Sequence, residues 1–158
     1  LRGRGRVAGE IDVREATLED RKALWEWRND PVTRKTFRAD PGITYVEHCA
    51  WFERLLKDPD KILCIGRLDV LRVGSVQFDL RDTDEYEVQL YLKPPYCGKS
   101  YASQLLKQGV QYLKGIRTPR KLRATAKNVN PRSISAFQLA GFNLLHETGF
   151  RQHFELTL

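Results

Sequence analysis

The stretch from Lys61 to Lys93 constrains the fold more than any other part of the chain. Apolar residues alternate with polar ones through three runs, "KILCIGRL" (61–68), "VLRVGSVQFDL" (70–80) and "YEVQLYLK" (86–93). A period of two places successive side chains on opposite faces of a sheet. The joints are too short for crossovers: around Leu68-Asp69-Val70 only a tight hairpin turn fits, and "RDTDE" is the second turn. Parallel neighbours would need a connection of a dozen or more residues. The stretch is therefore predicted as an antiparallel meander, and the remaining segments must extend that sheet or pack on it.

Before the meander, "IDVREA" (11–16) alternates like a short strand. "TLEDRKALWEWRND" (17–30) then reads as a helix, with Thr17 as N-cap, Asp20 three residues on, and Leu18, Leu24 and Trp25 on a helical period. Pro31 stops it, and "VTRKTF" is expected to form a short helix of its own. "TYVEHCAWFERLLKD" (44–58) carries Thr44 as cap, Glu47 at N3, and Val46, Ala50, Trp51 and Leu55 on one face. After the meander come a helix over 100–114, the strand "KLRATAK" (121–127) and the helix "PRSISAFQLAG" (131–141). That last helix has Asn130 as N-cap, Pro131 at N1 and Gly141 as C′. "FNLLHE" and "RQHFELTL" close as strands. The order βαα-βββ-α-β-α-ββ describes a mixed α/β (α+β) fold, a mostly antiparallel mixed sheet with helices on its faces.

A length of 158 residues fits one domain, and 41% hydrophobic with 30% charged residues is enough to bury a core. No apolar run is long enough to span a bilayer, so no membrane is expected. Residues 1–10, "LRGRGRVAGE", read as a flexible basic arm or linker ahead of a domain over 11–158. The chain lacks methionine, as expected of a processed start or a piece of a longer polypeptide. Its three cysteines are odd in number and form no C-x-x-C, which speaks against a disulfide framework or a metal site and for a reducing cytoplasm. The net charge of +7 favours an anionic partner. The basic residues are scattered and no aromatic-basic module accompanies them, so nucleic acid is not required.

In "PPYCGKSYASQLLKQGVQYL" (94–113) a Pro-Pro turn leads through Gly98, Lys99 and Ser100 into a helical pattern. A helix start offers unpaired N–H groups and a positive dipole end, and both attract phosphate. Gly98 is the one position expected to take a positive φ. Taken alone, the stretch fits an anion cradle or a plain turn and cap.

The run "VQLYLKPPYCGKSYASQLL" followed by "ATAKNVNPRSISAFQLAGF" resembles the two acyl-CoA-binding motifs of the GNAT N-acetyltransferases, and the likeness extends from about residue 11 to the end. The pattern N-x-x-S-I-x-A-F-x-x-x-G-F appears as Asn130, Ser133, Ile134, Ala136, Phe137, Gly141 and Phe142. The loop pattern Arg/Gln-x-x-Gly-x-Gly/Ala is filled by Cys97, Gly98, Lys99, Ser100, Tyr101 and Ala102. Ala102 fits; Cys97 replaces the usual Arg or Gln, and Ser100 the usual Gly. The donors of such a cradle are backbone groups, so neither change removes one. As a thiol near a helix start, Cys97 would have a lowered pKa. The family, however, transfers acetyl directly, and no histidine adjoins Cys97 in sequence.

The resemblance implies acetyl-CoA as cosubstrate and no metal. It implies that Leu90, Tyr91 and Leu92 lie on a strand that splays from its neighbour and offers backbone N–H groups to the pantetheine and the thioester carbonyl. Asn130, Ser133 and Phe137 complete the implied cosubstrate site. Glu87 matches the strand position of a glutamate general base, and His48 is the second candidate, on a helix where similar enzymes place substrate-side residues. His146 and His153 rank below them. Phe137 stands where many members carry a proton-donating Tyr, which leaves Ser133, Tyr91 and Tyr101 as hydroxyls for the leaving thiolate. W-R-N-D-P, with Trp27, Arg28 and Asn29, resembles a branch that acetylates amino groups on nucleotide-linked sugars, as in pseudaminic-acid-type pathways, and also relatives of ribosomal-protein N-terminal acetyltransferases. Arg28 would then pair with a phosphate while an aromatic stacks on a base. The implied activity is acetyl-CoA-dependent N-acetylation of a small amine, a nucleotide-linked amino sugar foremost, and the implied assemblies include a homodimer. A protein N-terminus as acceptor and a non-catalytic acyl-CoA-binding domain are the alternatives.

Overall fold

The structure, a computed structural model, describes residues 9–32, 43–98, 100–127 and 131–158. Strand β1 (Ile11–Glu15) leads through a 3-10 turn (Leu18–Asp20) into α1 (Arg21–Asn29), and α2 (Tyr45–Lys57) comes next. The meander is β2 (Lys61–Leu68), β3 (Leu71–Asp82) and β4 (Glu85–Leu92). Then come a second 3-10 turn (Pro94–Tyr96), α3 (Tyr101–Ile116), β5 (Lys121–Lys127), α4 (Pro131–Leu139), β6 (Asn143–Thr148) and β7 (Arg151–Thr157). The expected order holds, with ends shifted by one or two residues.

One seven-stranded sheet runs β1-β2-β3-β4-β5-β7-β6. All its pairs are antiparallel except β4–β5, which α3 joins as a parallel crossover. Asp69 turns the first hairpin with φ 56°, a left-handed conformation that Asp tolerates better than most residues. In the second hairpin the register jumps between Leu80 and Asp82, so Arg81 is the extra residue of a bulge.

Alternation along the strands sorts the core into two layers. Ile62, Cys64, Val76, Phe78 and Val88 face α3 and α4, where they meet Leu105, Leu106, Leu113 and Phe137, and Phe154 of β7 joins the same layer. Their neighbours Leu63 and Ile65 face the opposite way, onto Leu24 and Trp27 of α1 and Phe52 and Leu55 of α2. Gly109 lets α3 press against the sheet, since a Cβ there would lie 2.5 Å from Val76 Cγ1.

Both N-terminal helices bury a different stripe from the one expected. Thr17 does cap, receiving the Glu19 amide at 3.3 Å while Asp20 receives the Thr17 amide at 2.8 Å. The capped turn is 3-10, however, which shifts the phase of α1. Leu18 is left exposed and Trp25 half-buried, while Leu24 and Trp27 go inside. In α2, Thr44 caps Glu47 as expected, but Val46 and Ala50 are exposed and the buried stripe is His48, Phe52 and Leu55. Apolar residues lie all round this helix, and a histidine in the true stripe concealed it. Of "VTRKTF", residues 33–37 lie outside the described residues.

Asp20 ties α1 to the sheet. Fully buried, it accepts two bonds of 2.7 Å from Arg14 and one of 2.8 Å from Arg72. Burial alone would raise its pKa, but the Arg14, Thr17 and Arg72 hydrogen bonds outweigh that and bring it down to about 2. Helix α4 ends as expected on Gly141, whose φ is 93°. The Phe142 amide reaches Phe137 O at 2.9 Å and the Gly141 amide Gln138 O at 3.0 Å, a Schellman pair sealed by the contact of Phe137 with Phe142.

Candidate functional site

The site begins where β4 and β5 part. Their pairing covers Glu85–Val88 against Lys121–Ala124, after which β4 runs on to Leu92 and β5 to Lys127 with no further pairing between the two strands among the described residues. On its other side β4 stays paired with β3 as far as Leu92, and the Lys93 amide donates to Val73 O at 2.8 Å. Antiparallel ladders alternate, so Gln89, Tyr91 and Lys93 direct their backbone groups to β3, while Leu90 and Leu92 direct theirs into the gap. Of the three residues expected to line the splay, Leu90 and Leu92 therefore offer backbone donors and Tyr91 does not.

The loop closes one end of this gap. The Tyr96 and Cys97 amides bond to Lys93 O and Pro94 O at 2.9 and 3.1 Å. Gly98 takes a φ of 80° as expected, but Ser100, immediately before α3, is also left-handed at φ 59° and ψ 9°. That is the position where the family's pattern has glycine, and the backbone keeps the conformation although the residue has changed. The Ser100 hydroxyl makes no capping bond to the helix. The first-turn amides of Tyr101, Ala102 and Ser103 are therefore presented at the helix end. The half-buried Cys97 thiol lies 3.8 and 3.7 Å from the carbonyl oxygens of Leu92 and Lys93, a packing role. Lys99 and Asn130 lie outside the described residues. Ser133 is half-buried in the first turn of α4. Phe137 is 3% exposed, with its ring 5.5 and 5.6 Å from Phe142 and Phe154. It packs in the core beside α3 and β7.

Glu87, Gln89 and Tyr91 point to the opposite face, the one covered by α1 and α2. Tyr91 stacks on Trp27 with centroids 5.3 Å apart. The W-R-N stretch is chiefly a clamp. The Trp25 indole donates to Ile43 O at 2.9 Å, Asn29 accepts from Ile43 N at 3.1 Å, and the Arg28 guanidinium lies 4.6 Å above the Trp51 ring. Trp27 is buried and stacks under Tyr91. These residues, Trp27 and Asn29 among them, hold the start of α2 to the end of α1.

His48 moves from the expected role. It is fully buried, its Nε2 is 2.8 Å from Arg21 O, and its ring stacks on Phe52. Burial lowers its pKa against the raising effect of the Arg21 carbonyl, and Arg28 and Arg21 lower it further. A sealed imidazole cannot take a proton from an acceptor on the sheet face. Glu87 is half-buried and accepts from Arg81 Nε at 2.8 Å, the bulge having placed Arg81 beside it. Sequence reasoning missed the cluster next to Glu87: Gln77, Asp79, Arg81 and Gln89. The signal was present in the alternation, which puts Gln77, Asp79, Glu87 and Gln89 on one face of adjacent strands. His146 and His153 stack at 4.5 Å on the C-terminal hairpin, where His153 bonds to Thr125 and Thr148 at 3.3 and 2.7 Å.

Among the described residues no helix is long and apolar enough to cross a membrane. The sequence model of the family described as Acetyltransferase (GNAT) domain matches residues 11–143. The uncharacterized protein MJ1062 of Methanocaldococcus jannaschii is 29% identical over 140 residues, which is 84% of this chain but 28% of that protein. The crystal structure of a domain from the same organism superposes with a TM-score of 0.79 at 24% identity, covering 94% of this chain and 99% of that one. Spermidine N-acetyltransferase from Vibrio cholerae, in complex with CoA and spermine, gives 0.83 at 14% identity over 94% and 95% of the two chains. The N-acetyltransferase PseH of Campylobacter jejuni gives 0.71 at 17% over 93% and 97%. These three structures share the fold described above.

Proposed function

The chain belongs to the GNAT acetyltransferase family, and from that premise we propose that it transfers acetyl from acetyl-CoA directly to a primary amine, carried on an amino sugar. The observation that carries this reading is the parting of β4 from β5 beyond Val88 and Ala124, beside a helix start with open amides. The gap suits an extended amide-bearing arm that pairs with the Leu90 and Leu92 backbone as a strand would. The α3 N-terminus suits pyrophosphate, and the positive φ at Gly98 and Ser100 shapes the approach. Lys99 adds a point charge.

In the proposed mechanism Glu87 takes the proton of the acceptor ammonium, directly or through one water. The freed amine attacks the thioester carbonyl, whose developing negative charge meets backbone N–H groups of the open stretch of β4. The C–S bond then breaks, the nitrogen sheds its second proton, and the leaving thiolate takes up a proton through a hydroxyl such as that of Ser133, Tyr91 or Tyr101, or through water. Arg81 holds Glu87 in place until the acceptor arrives.

For the acceptor, the resemblance of W-R-N-D-P supports an amino sugar linked to a nucleotide. A second reading, a free polyamine or amino sugar, is favoured by one observation: Trp27 lies under Tyr91 and Asn29 holds Ile43, so neither is offered to a base. Thiol release from acetyl-CoA, followed with a UDP-linked amino sugar, glucosamine, spermidine and an N-terminal peptide, tests both readings. Release with none of them would leave a non-catalytic acyl-CoA-binding domain. Release with the peptide alone would move the acceptor to proteins.

A further inference from the structure

We infer that Gln89 selects hydrogen-bond-donating, cationic acceptors, and that Asp79 is the positioning residue that orients it. This rests on the acetyltransferase reading above and names what that site takes at the amine end.

Asp79 lies in β3 at 3% exposure. A buried carboxylate persists only when paired. Its Oδ1 accepts from Gln77 Nε2 at 2.8 Å and its Oδ2 from Gln89 Nε2 at 3.2 Å, with the Arg81 guanidinium 3.8 Å away. Gln77 and Gln89 are direct cross-strand partners. The two amide ends of a glutamine are ordinarily assigned rather than seen. Here the chemistry assigns them, because an ionised carboxylate only accepts and each NH2 must face it. Both Oε1 atoms are therefore turned away from Asp79.

Gln89 is exposed and is the first β4 residue beyond the last β4–β5 pair. Its side chain stands between those of Glu87 and Tyr91 on the same face. The Asp79 clamp thus presents a carbonyl oxygen where the strands part. Such an oxygen pairs with an ammonium, an amine or a hydroxyl, and repels a phosphate oxygen. Two flanking cations do not reverse this, because Arg81 is held on Glu87 at 2.8 Å and Arg123, the β5 partner of Glu87, lies 3.8 and 4.0 Å from the carboxylates of Glu85 and Glu155. The amine end of the acceptor is therefore read by the Glu87 carboxylate and the Gln89 carbonyl together. The carboxylate removes a proton, and the carbonyl fixes a donor beside it.

The test uses the full chain with acetyl-CoA, and spermidine, glucosamine and glucosamine 6-phosphate as probes. Spermidine or glucosamine should be preferred over the phosphate. Gln89→Leu should raise the KM for the preferred probe about tenfold, the loss of one hydrogen bond to a charged partner, with kcat within about twofold. The KM for acetyl-CoA should not move. Asp79→Asn should act in the same direction, because Asn accepts from only one glutamine and frees the other to turn. The double variant should be no worse than Gln89→Leu alone, since Asp79 acts through Gln89. An unchanged KM in Gln89→Leu, a loss confined to kcat, or multiplying losses in the double variant would overturn the inference. So would a preference for the phosphate. Gln89 is exposed, so Gln89→Leu decides the matter even if Asp79→Asn fails to fold. If none of these probes releases thiol, calorimetry with spermidine decides the inference separately from the acetyltransferase reading. Weaker binding in Gln89→Leu keeps the inference; equal or absent binding in the wild type and Gln89→Leu overturns it.

Discussion

The two sides of the sheet are built from different materials. On the α3 side the proposed chemistry is carried by backbone: the Leu90 and Leu92 amides in the splay, the positive φ at Gly98 and Ser100, and the amides opening α3. On the α1/α2 side it is carried by side chains that register brings together, Gln77, Asp79, Arg81, Glu87 and Gln89. The first kind of site tolerates substitution as long as the backbone path survives, as Ser100 in its left-handed conformation illustrates. The second kind depends on each group. A mutation that removes a side chain should therefore be felt far more on one face than on the other.

Glu87→Gln is the sharpest way to break that contrast. It should lower kcat by about 10²–10⁴-fold while CoA affinity stays within about twofold. Steady-state thiol release and calorimetry would check the two halves. Equal losses in both would mean that the faces are not separable.

Next in size is Asp20→Ala, which leaves Arg14 and Arg72 facing a vacated pocket and should destabilise the chain by about 3 kcal/mol, read as a lower urea midpoint. The pH dependence has a definite sign. The folded pKa, about 2, lies below the ordinary carboxylate value of 3.8, so the contribution is present above about pH 4 and is lost as pH falls toward 2. The wild type should weaken through that window more steeply than Asp20→Ala.

The unequal legibility of the two faces has the same origin. The meander, the helix over 101–116 and the Schellman end at Gly141 were visible because alternation, short turns and a single glycine each have a local physical cause. The turn into α3 was visible for the same reason, although the positive φ at Ser100 was not, since no local rule places serine there. The other face was less legible. The sequence does not show that Ile43 would return to meet Trp25 and Asn29. His48 looked functional because an imidazole on a helix does not announce the Arg21 carbonyl waiting for it. Asp79 went unremarked because its partner Gln89 lies one hairpin away, and only register joins them.

Smaller effects sharpen the comparison. Ser100→Gly relieves a left-handed residue and should stabilise the chain by about 1 kcal/mol or less, with CoA affinity unchanged or tighter. Thermal melts and a CoA titration would show it, and a destabilised variant would contradict the backbone account of the loop. His48 should give the smallest signal. Burial holds its pKa below the ordinary 6.5, so its share of stability is present above that value and declines as pH drops below it. In His48→Phe that slope, read from urea midpoints between pH 7 and pH 5, should flatten.

The central claim is that backbone amides in the splay and at the start of α3 hold the cosubstrate. Titrating CoA into the ¹⁵N-labelled chain, with amide shifts followed residue by residue, tests it most directly. The amides of Leu90, Leu92, Gly98 and Tyr101–Ser103 should move together and saturate at one CoA per chain, while those of β1 and β2 stay still. Saturable binding that shifts only the C-terminal hairpin, or no binding at all, would contradict the account.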